Sequence, residues 1–257
     1  MIRLNRFLSI SGLTSRRKAL QLVMEGRVRV NGETVTEPGT PVDPDRDAVS
    51  VDERPVAAPS RWLTYVFNKP PGYLTARSDP RGRATIMDLL GEHGRGVFPV
   101  GRLDRDSEGL LLLTNHGDLA HALLHPRFGI EKVYIVTLCD RPSDRVVRRL
   151  GLGVLIGPDE WARPVAVVRS REPRVLRVLL TEGKKREIRR MIQAVGHEVV
   201  RLVRIAFAGI ELGGLPPGGL RPLTDAERAA LSRITGIDPD TPPWRAPVDP
   251  DRSREEA

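Results

Sequence analysis

The stretch that decides the fold runs Gly101-Arg102-Leu103-Asp104-Arg105-Asp106-Ser107-Glu108-Gly109-Leu110-Leu111-Leu112-Leu113-Thr114-Asn115. Its run of four leucines predicts a strand that is buried on both faces. Asp104 stands just before this strand. Because a buried charge is costly, a carboxylate at the edge of a core is either paired with a cation or used for chemistry. Asp104 is therefore the first candidate for a functional residue.

Strands and helices alternate on both sides of this stretch. Thr224 followed by Glu227 has the pattern of a capping box and favours a helix directly after it. Runs of strands with interspersed helices indicate an α+β architecture around a mainly antiparallel sheet. The predicted strands are 63–67, 97–103, 110–114, 133–138, 165–168, 175–180, 198–202 and 205–212, and the predicted helices are 118–124, 143–150, 187–195 and 225–233.

Residues 1–55 predict a small N-terminal domain with a basic surface. Ser15 can cap a helix that runs to about Glu25. The dipeptide Asn31-Gly32 is typical of a tight hairpin turn. Such a concentration of basic residues is either a solvated face or a surface for phosphates. The candidates for phosphate contact are Arg16, Arg17, Lys18, Arg27 and Arg29.

Composition places the other domain boundaries. A short linker containing Pro59 is expected over 56–61, followed by a larger domain over 62–235. The segment 236–257 is rich in Pro, Asp, Arg and Glu and poor in apolar residues, so a disordered C-terminal tail is expected there.

Charge and hydropathy narrow the functional classes. The 257-residue chain has 41 Lys and Arg against 33 Asp and Glu, a formal net charge of +8, which favours polyanionic partners. No stretch approaches the ~18 apolar residues of a membrane span, and the start lacks the apolar segment of a secretory signal. With Cys139 as the single cysteine, expected to be buried, no internal disulfide is possible. A cytoplasmic protein without membrane contact is expected.

Spacing alone leaves three interpretations of Asp104. The favoured one is an ion pair with Arg102 or Arg105 at a strand end. A second is a hard-cation site with Asp106 and Glu108, as in a metal-dependent nuclease, and the third is catalysis. The scattered histidines lack the paired spacing of a zinc site, and no glycine-rich phosphate loop is present.

The opening stretch also resembles the GRLDxxTxGLLLLTN signature of RNA pseudouridine synthases, with Ser107 where Thr is common and His116 where Asp often follows. Further segments resemble the family's other motifs in the family's order, and together they cover about 62–224. They are Asn68-Lys69-Pro70-Pro71-Gly72, His125-Pro126 with Glu131-Lys132-Val133-Tyr134, Glu182-Gly183-Lys184-Lys185-Arg186-Glu187-Ile188-Arg189-Arg190-Met191, Gly196-His197-Glu198-Val199-Val200-Arg201-Leu202 and Gly219-Leu220-Arg221-Pro222-Leu223.

The N-terminal domain resembles the S4 (αL-type) RNA-binding domain. The resemblance is carried by Arg3-Leu4-Asn5-Arg6-Phe7-Leu8, Ser15-Arg16-Arg17-Lys18-Ala19 and Gly26-Arg27-Val28-Arg29-Val30-Asn31-Gly32. An S4 domain ahead of the synthase motifs indicates the family branch that modifies ribosomal RNA. The S4 length and the loop over 77–83 are most similar to the branch members acting on large-subunit RNA. The resemblance implies ribosomal RNA, free or in a ribosomal precursor, as the partner of a monomeric enzyme.

The resemblance implies a role for each candidate residue. Asp104 matches the family nucleophile, Tyr134 matches the tyrosine that stacks on the target base, and Arg189 is expected to pair with Asp104. Isomerisation of uridine is redox-neutral and involves no group donor, so neither a metal nor a cofactor is expected. The residues expected to bind substrate or RNA are Arg102, Arg77, Arg81, Arg83, Lys184, Lys185, Arg186 and Arg190, besides the basic residues of the S4 domain.

A hypothesis from another functional class is a non-catalytic S4-type RNA-binding or ribosome-assembly factor. Such a protein would have little reason to keep Asp104 within an intact motif. The presence of that carboxylate favours the enzyme.

Overall fold

Local signals set the ends of the first elements in the structure, a computed structural model that describes residues 1–242, 244 and 245. The Ser15 hydroxyl accepts a hydrogen bond from the Lys18 N–H and caps the second helix. Asn31 and Gly32 both have positive φ angles, as a tight hairpin turn requires. The N-terminal elements are β1 (Ile2–Arg3), α1 (Leu4–Ile10), α2 (Arg16–Met24), β2 (Val28–Val30), β3 (Glu33–Val35), β4 (Pro41–Val42), β5 (Val49–Val51) and β6 (Arg54–Val56).

The N-terminal elements pack around a core of their own. Strands β3, β2, β5 and β6 form an antiparallel sheet in that order, and β1 pairs with β4. Phe7, Leu8, Val23 and Val28 are buried in this core. Because β6 is part of the sheet, the ordered unit extends to Val56, the first residue of the expected linker.

A larger unit follows, built on a nine-stranded sheet. Its elements are β7 (Thr64–Lys69), α3 (Ile86–Leu90), β8 (Phe98–Val100), β9 (Glu108–Thr114), α4 (Gly117–Leu124), β10 (Lys132–Leu138), α5 (Asp144–Leu152), β11 (Val154–Gly157), β12 (Glu160–Ala162), β13 (Ala166–Arg169), β14 (Val175–Leu180), α6 (Glu187–Ala194), β15 (Val199–Phe207), β16 (Ile210–Glu211), β17 (Leu220–Pro222) and α7 (Asp225–Thr235), with short 3₁₀ helices at Gly91–Gly94 and Pro126–Phe128.

The order of strands in this sheet is β13-β14-β10-β15-β9-β7-β17, with β16 beside β15 and β8 beside β9. The pair β15–β9 is parallel and the other pairs are antiparallel. The predicted α+β class with a mainly antiparallel mixed sheet is confirmed.

The four leucines of β9 occupy the middle of this sheet. Leu111 and Leu113 lie in one apolar core, and Leu110 and Leu112 lie in the core on the opposite face. All four are fully buried. Because alternate residues of a strand point to opposite faces, a strand covered on both sides needs an unbroken apolar run.

The structure departs from the predicted elements at several places. The strands expected over 198–202 and 205–212 are one strand, β15, followed by the short β16. The strand continues because the Arg204 side chain is buried and donates from Nε to the Leu110 carbonyl at 2.7 Å. The hairpin β11–β12 and helix α3 were not predicted. Cys139 is exposed rather than buried, because it follows the last residue of β10.

The first part of the C-terminal tail is packed, whereas disorder was expected from residue 236. The Thr241 carbonyl lies 3.0 Å from Nε2 of the buried His116. The Trp244 ring contacts that of Trp62, and its Nε1 donates to Asp45 at 3.2 Å. The rest of that prediction concerns 243 and 246–257, which lie outside the described residues.

Within the described ranges, no helix has the length and apolar character needed to cross a membrane.

Candidate active site

Asp104 lies in the loop between β8 and β9, where the buried leucine strand begins. The Asp104 carbonyl accepts a hydrogen bond from the Ser107 N–H at 3.1 Å, which closes a turn. Gly109 then lies so close to β15 that a Cβ atom would stand 2.3 Å from the Arg204 carbonyl oxygen. Only glycine fits this approach, and it brings the Asp104 loop to the edge of the β15 strand.

Lys69 supports the Asp104 loop through hydrogen bonds from its buried ammonium group. Its side chain is fully buried, and Nζ donates to the carbonyls of Pro70 (3.0 Å), Arg105 (3.3 Å) and Ser107 (2.8 Å). Burial lowers the pKa of Lys69 to about 8, against the opposing effect of the carboxylates of Asp106, Asp104 and Glu108. No role was predicted for Lys69, although a lysine at the end of an apolar strand is an unusual pattern.

A cavity of about 430 Å³ opens beside Asp104. Its volume is in the range of small-molecule sites. Tyr134, on β10, is a buried part of its wall. Four different stretches of the chain therefore meet at one cavity. The lining residues are Arg102, Leu103, Asp104, Ser107, Tyr134, Leu180, Gly183, Lys184, Lys185, Arg186, Glu187, Ile188 and Leu202.

Arg186 is the cation nearest to the Asp104 carboxylate. Its Nη1 lies 3.8 Å from Asp104 Oδ2 and 3.3 Å from Asp106 Oδ1. Arg186 precedes α6 and has a left-handed backbone with φ of 53°, which is unfavourable for a residue other than glycine. Its guanidinium group therefore faces both carboxylates of the loop.

Arg189 was expected to pair with Asp104, but in the structure it contacts other groups. Its Nη2 lies 3.1 Å from Asp106 Oδ2 and donates to the Asp106 carbonyl, while Nη1 donates to the Val199 carbonyl. Arg189 lies about one helical turn after Arg186. Of the two arginines, Arg186 is the one next to Asp104, and Arg189 lies next to Asp106. Arg189 therefore fastens Asp106 and β15, whereas Arg186 faces Asp104.

The remaining basic residues of this motif divide into two groups. Lys184 and Lys185 line the cavity together with the exposed Arg102. Lys184 Nζ donates to the Trp161 carbonyl at 2.6 Å. Arg190 is directed away from the cavity, where it pairs with Glu160 and donates to the Ile156 carbonyl at 2.9 Å.

Glu187 is a buried carboxyl group at the cavity that the sequence analysis did not single out. Its Oε2 accepts a hydrogen bond from the Lys184 N–H at 2.9 Å, and Oε1 has no hydrogen-bond partner among the described residues. Burial, together with the neighbouring Glu182 carboxyl group, raises the pKa of Glu187 to about 7. Only the position of a carboxylate between basic residues could have suggested it.

This raised pKa predicts a pH dependence of stability that Glu187→Gln removes. Between about pH 4.5 and 7 the folded state binds a proton that the unfolded state has released, so the wild-type free energy of unfolding falls as pH rises. The loss should approach about 3 kcal/mol by pH 8. Urea unfolding at pH 5 and pH 8 measures it. An identical pH dependence in the wild type and the Gln variant would contradict the argument.

The other candidates lie outside the cavity lining. Arg83 bonds to Asp79 through Nε and Nη2, at 3.0 and 2.7 Å, and holds the pKa of that carboxyl down at about 2. Arg77 and Arg81, from the same loop, have no ion-pair or hydrogen-bond partner for their side chains in the part of the chain that the structure describes.

In the N-terminal domain, Arg27 and Arg29 lie beside acidic side chains. Arg27 bonds to Asp52 at 2.8 Å, and Arg29 lies 3.7 Å from Glu53. Arg16, Arg17 and Lys18 are exposed at the start of α2. These three side chains give this end of the helix a basic surface.

Groups of three or more His, Cys, Asp or Glu side chains placed to hold a metal ion are absent from the described residues.

Comparison with known proteins places both units. Residues 64–194 match the RNA pseudouridylate synthase family, and residues 2–47 match the S4 domain. The chain is 42% identical over 240 residues to an uncharacterized RNA pseudouridine synthase of Aquifex aeolicus, an alignment covering 92% of this chain and 96% of that protein. It is 36% identical to the ribosomal large subunit pseudouridine synthase B of Bacillus subtilis, with 91% and 97% covered.

A solved structure extends the likeness to the fold. The crystal structure of a pseudouridylate synthase superposes with a TM-score of 0.65 at 26% identity, covering 90% of this chain and all (100%) of that chain. The chain therefore belongs to the RNA pseudouridylate synthase family and carries an S4 domain at its N terminus.

Proposed function

We propose that this enzyme isomerises a specific uridine of large-subunit ribosomal RNA, with Asp104 as its nucleophile. One observation carries the proposal: Asp104 and Tyr134 line a single cavity, with Arg186 3.8 Å from the carboxylate. The name of the Bacillus subtilis relative supports the large subunit as the source of the substrate.

The reaction needs an ionised carboxylate. Asp104 attacks the target nucleotide at C1′ of the ribose or at C6 of the base, and the N1–C1′ bond breaks. The uracil then turns and C5 bonds to C1′. The bond between Asp104 and the nucleotide breaks, which releases the carboxylate. The C5 proton leaves and N1 gains a proton, so the reaction is redox-neutral. Arg186 places a positive charge 3.8 Å from the carboxylate that reacts.

Tyr134 is suited to stack on the uracil, because its aromatic ring forms part of a buried wall. A uridine inside folded RNA must first be flipped out of its stack, at a cost of roughly a few kcal/mol. The guanidinium groups of Arg77 and Arg81 have no partner within the described part of the chain, so they are available to hold the RNA in this state through its phosphates.

The S4 domain supplies a second phosphate contact. Arg16, Arg17 and Lys18 are exposed together at the start of α2, and such a group of cations attracts anions. RNA phosphates are the suitable anions. A substrate of this kind, free or in a ribosomal precursor, places the monomeric enzyme in the cytoplasm.

Pseudouridine mapping in ribosomal RNA from a deletion strain tests the substrate. One large-subunit uridine should remain unmodified, and a plasmid with the wild-type gene should restore its modification. A plasmid carrying Asp104→Asn should not restore it. A missing pseudouridine in small-subunit RNA would contradict the substrate assignment while leaving the nucleophile in place.

A further inference from the structure

An exposed apolar patch lies on the hairpin β11–β12. The side chains of Leu155 and Trp161 are opposite each other across the two strands, and both are about half exposed (54% and 55%). Leu152, at the end of α5, is 72% exposed and leads directly into this hairpin. Exposed apolar side chains that lie together, here with the large indole of Trp161, are a candidate contact surface.

The Trp161 ring is held in a defined position. A Cβ atom at Gly153 would stand 2.5 Å from Trp161 Nε1, so the indole lies directly over the backbone of a residue that must be glycine. Arg190 pairs with Glu160 and donates to the Ile156 carbonyl, which fastens both strands of the hairpin to α6. A ring fixed in this way presents a rigid surface for stacking.

A hydrogen bond links the hairpin that carries this patch to the cavity beside Asp104. Lys184 lines that cavity, and its Nζ donates to the Trp161 carbonyl at 2.6 Å. One lysine side chain therefore joins the backbone of Trp161 to the cavity wall.

Exposed cations surround the patch. Arg148 and Arg149 precede Leu152 by four and three residues on α5, so they share its helix face. Arg163 is exposed two residues after Trp161. Over the described ranges none of these three arginines is in an ion pair. Positive charge around an exposed aromatic side chain suits a nucleic acid better than an uncharged protein surface.

We propose that Trp161 is a stacking platform for a base of single-stranded RNA adjacent to the target uridine, with Leu155 beside it and Arg148, Arg149 and Arg163 contacting the phosphates. This inference rests on the proposed function, since it takes the Asp104 cavity as the place of the target nucleotide. Aromatic side chains bind splayed bases of any identity in this way.

The test combines binding and fluorescence. Trp161→Ala should weaken binding of a large-subunit RNA transcript by roughly 5- to 100-fold, the range of one lost base stack, and leave kcat at saturating RNA within about twofold. Trp161→Phe should bind within about threefold of the wild type, because the ring is kept. Ile234→Ala, which truncates an exposed apolar residue on α7, should have no effect.

Oligouridylate should quench the tryptophan emission of the wild type, and the quenching should be largely lost in Trp161→Phe. Unchanged RNA binding by Trp161→Ala together with unchanged quenching in Trp161→Phe would overturn the proposal. The proposal would also be overturned if Trp161→Ala lost activity on ribosomal particles but kept full activity on the RNA transcript. That result would assign the patch to a protein partner. A failure of the proposed function appears instead as persistent activity of Asp104→Asn, so the two failures are distinguishable.

Discussion

Replacement of Asp104 by asparagine is expected to abolish pseudouridine formation. The substitution keeps the size and hydrogen-bonding capacity of the side chain but removes the charge that makes it a nucleophile. Loss of a nucleophile reduces rates by roughly 10⁴-fold or more. Single-turnover assays on a large-subunit RNA transcript should therefore show no product above background.

RNA affinity should change only a few-fold in this variant, because the cations that contact phosphate remain in place. Asp106→Asn is the matched control, since Asp106 lies two residues away and is bonded by both Arg186 and Arg189. Its loss should disturb the loop without removing the reacting group, so activity should remain measurable. If Asp104→Asn and Asp106→Asn were equally active, Asp104 would not be the nucleophile.

Local signals made much of the fold predictable. The leucine run identified β9, and Thr224 with Glu227 forms the capping box that begins α7. The hairpin β11–β12 was missed because its strands are three or four residues long and depend on bonds from Arg190, which lies about 30 residues away in sequence. Strand β15 was split in the prediction because a buried arginine is not expected inside a strand.

The motifs that form the site could be predicted, but the ion pairs between their side chains could not. The family resemblance implied that Asp104, Tyr134 and the basic run from Lys184 share one site. The structure brings Asp104, Tyr134 and the first part of that run, up to Arg186, to one cavity. The resemblance did not indicate that Arg186, rather than Arg189, would face Asp104. That choice depends on how a loop and a helix some 80 residues apart approach each other, for which sequence spacing contains no signal.

Lys69 was missed for the same reason. The carbonyls that it contacts belong partly to its own turn, at Pro70, and partly to the Asp104 loop, at Arg105 and Ser107. A buried ammonium group that bridges two loops is recognisable only when both loops are in place.

Lys69→Met is expected to lower kcat by about 100-fold, because a displacement of the nucleophile by about 1 Å is enough for such a loss. Methionine fills a similar volume but donates no hydrogen bond, so the Asp104 loop loses the bonds that Lys69 makes to its carbonyl groups. Stability should change by no more than about 2 kcal/mol, since the bonds that are lost are offset by the relief of a buried charge. Single-turnover kinetics and urea unfolding measure the two effects, and RNA affinity should stay within a few-fold of the wild type.

The pH dependence separates a positioning role for Lys69 from a merely structural one. The pKa of about 8 means that the folded protein releases the Lys69 proton well before the unfolded chain does, so the wild-type free energy of unfolding should rise between about pH 8 and 10.5. Activity should move in the opposite direction, because the neutral amine can donate to only two of the three carbonyls and the loop loosens. In Lys69→Met both trends should disappear. A fall of activity above pH 8 that persisted in Lys69→Met would assign the titration to another group and remove the argument that Lys69 positions Asp104.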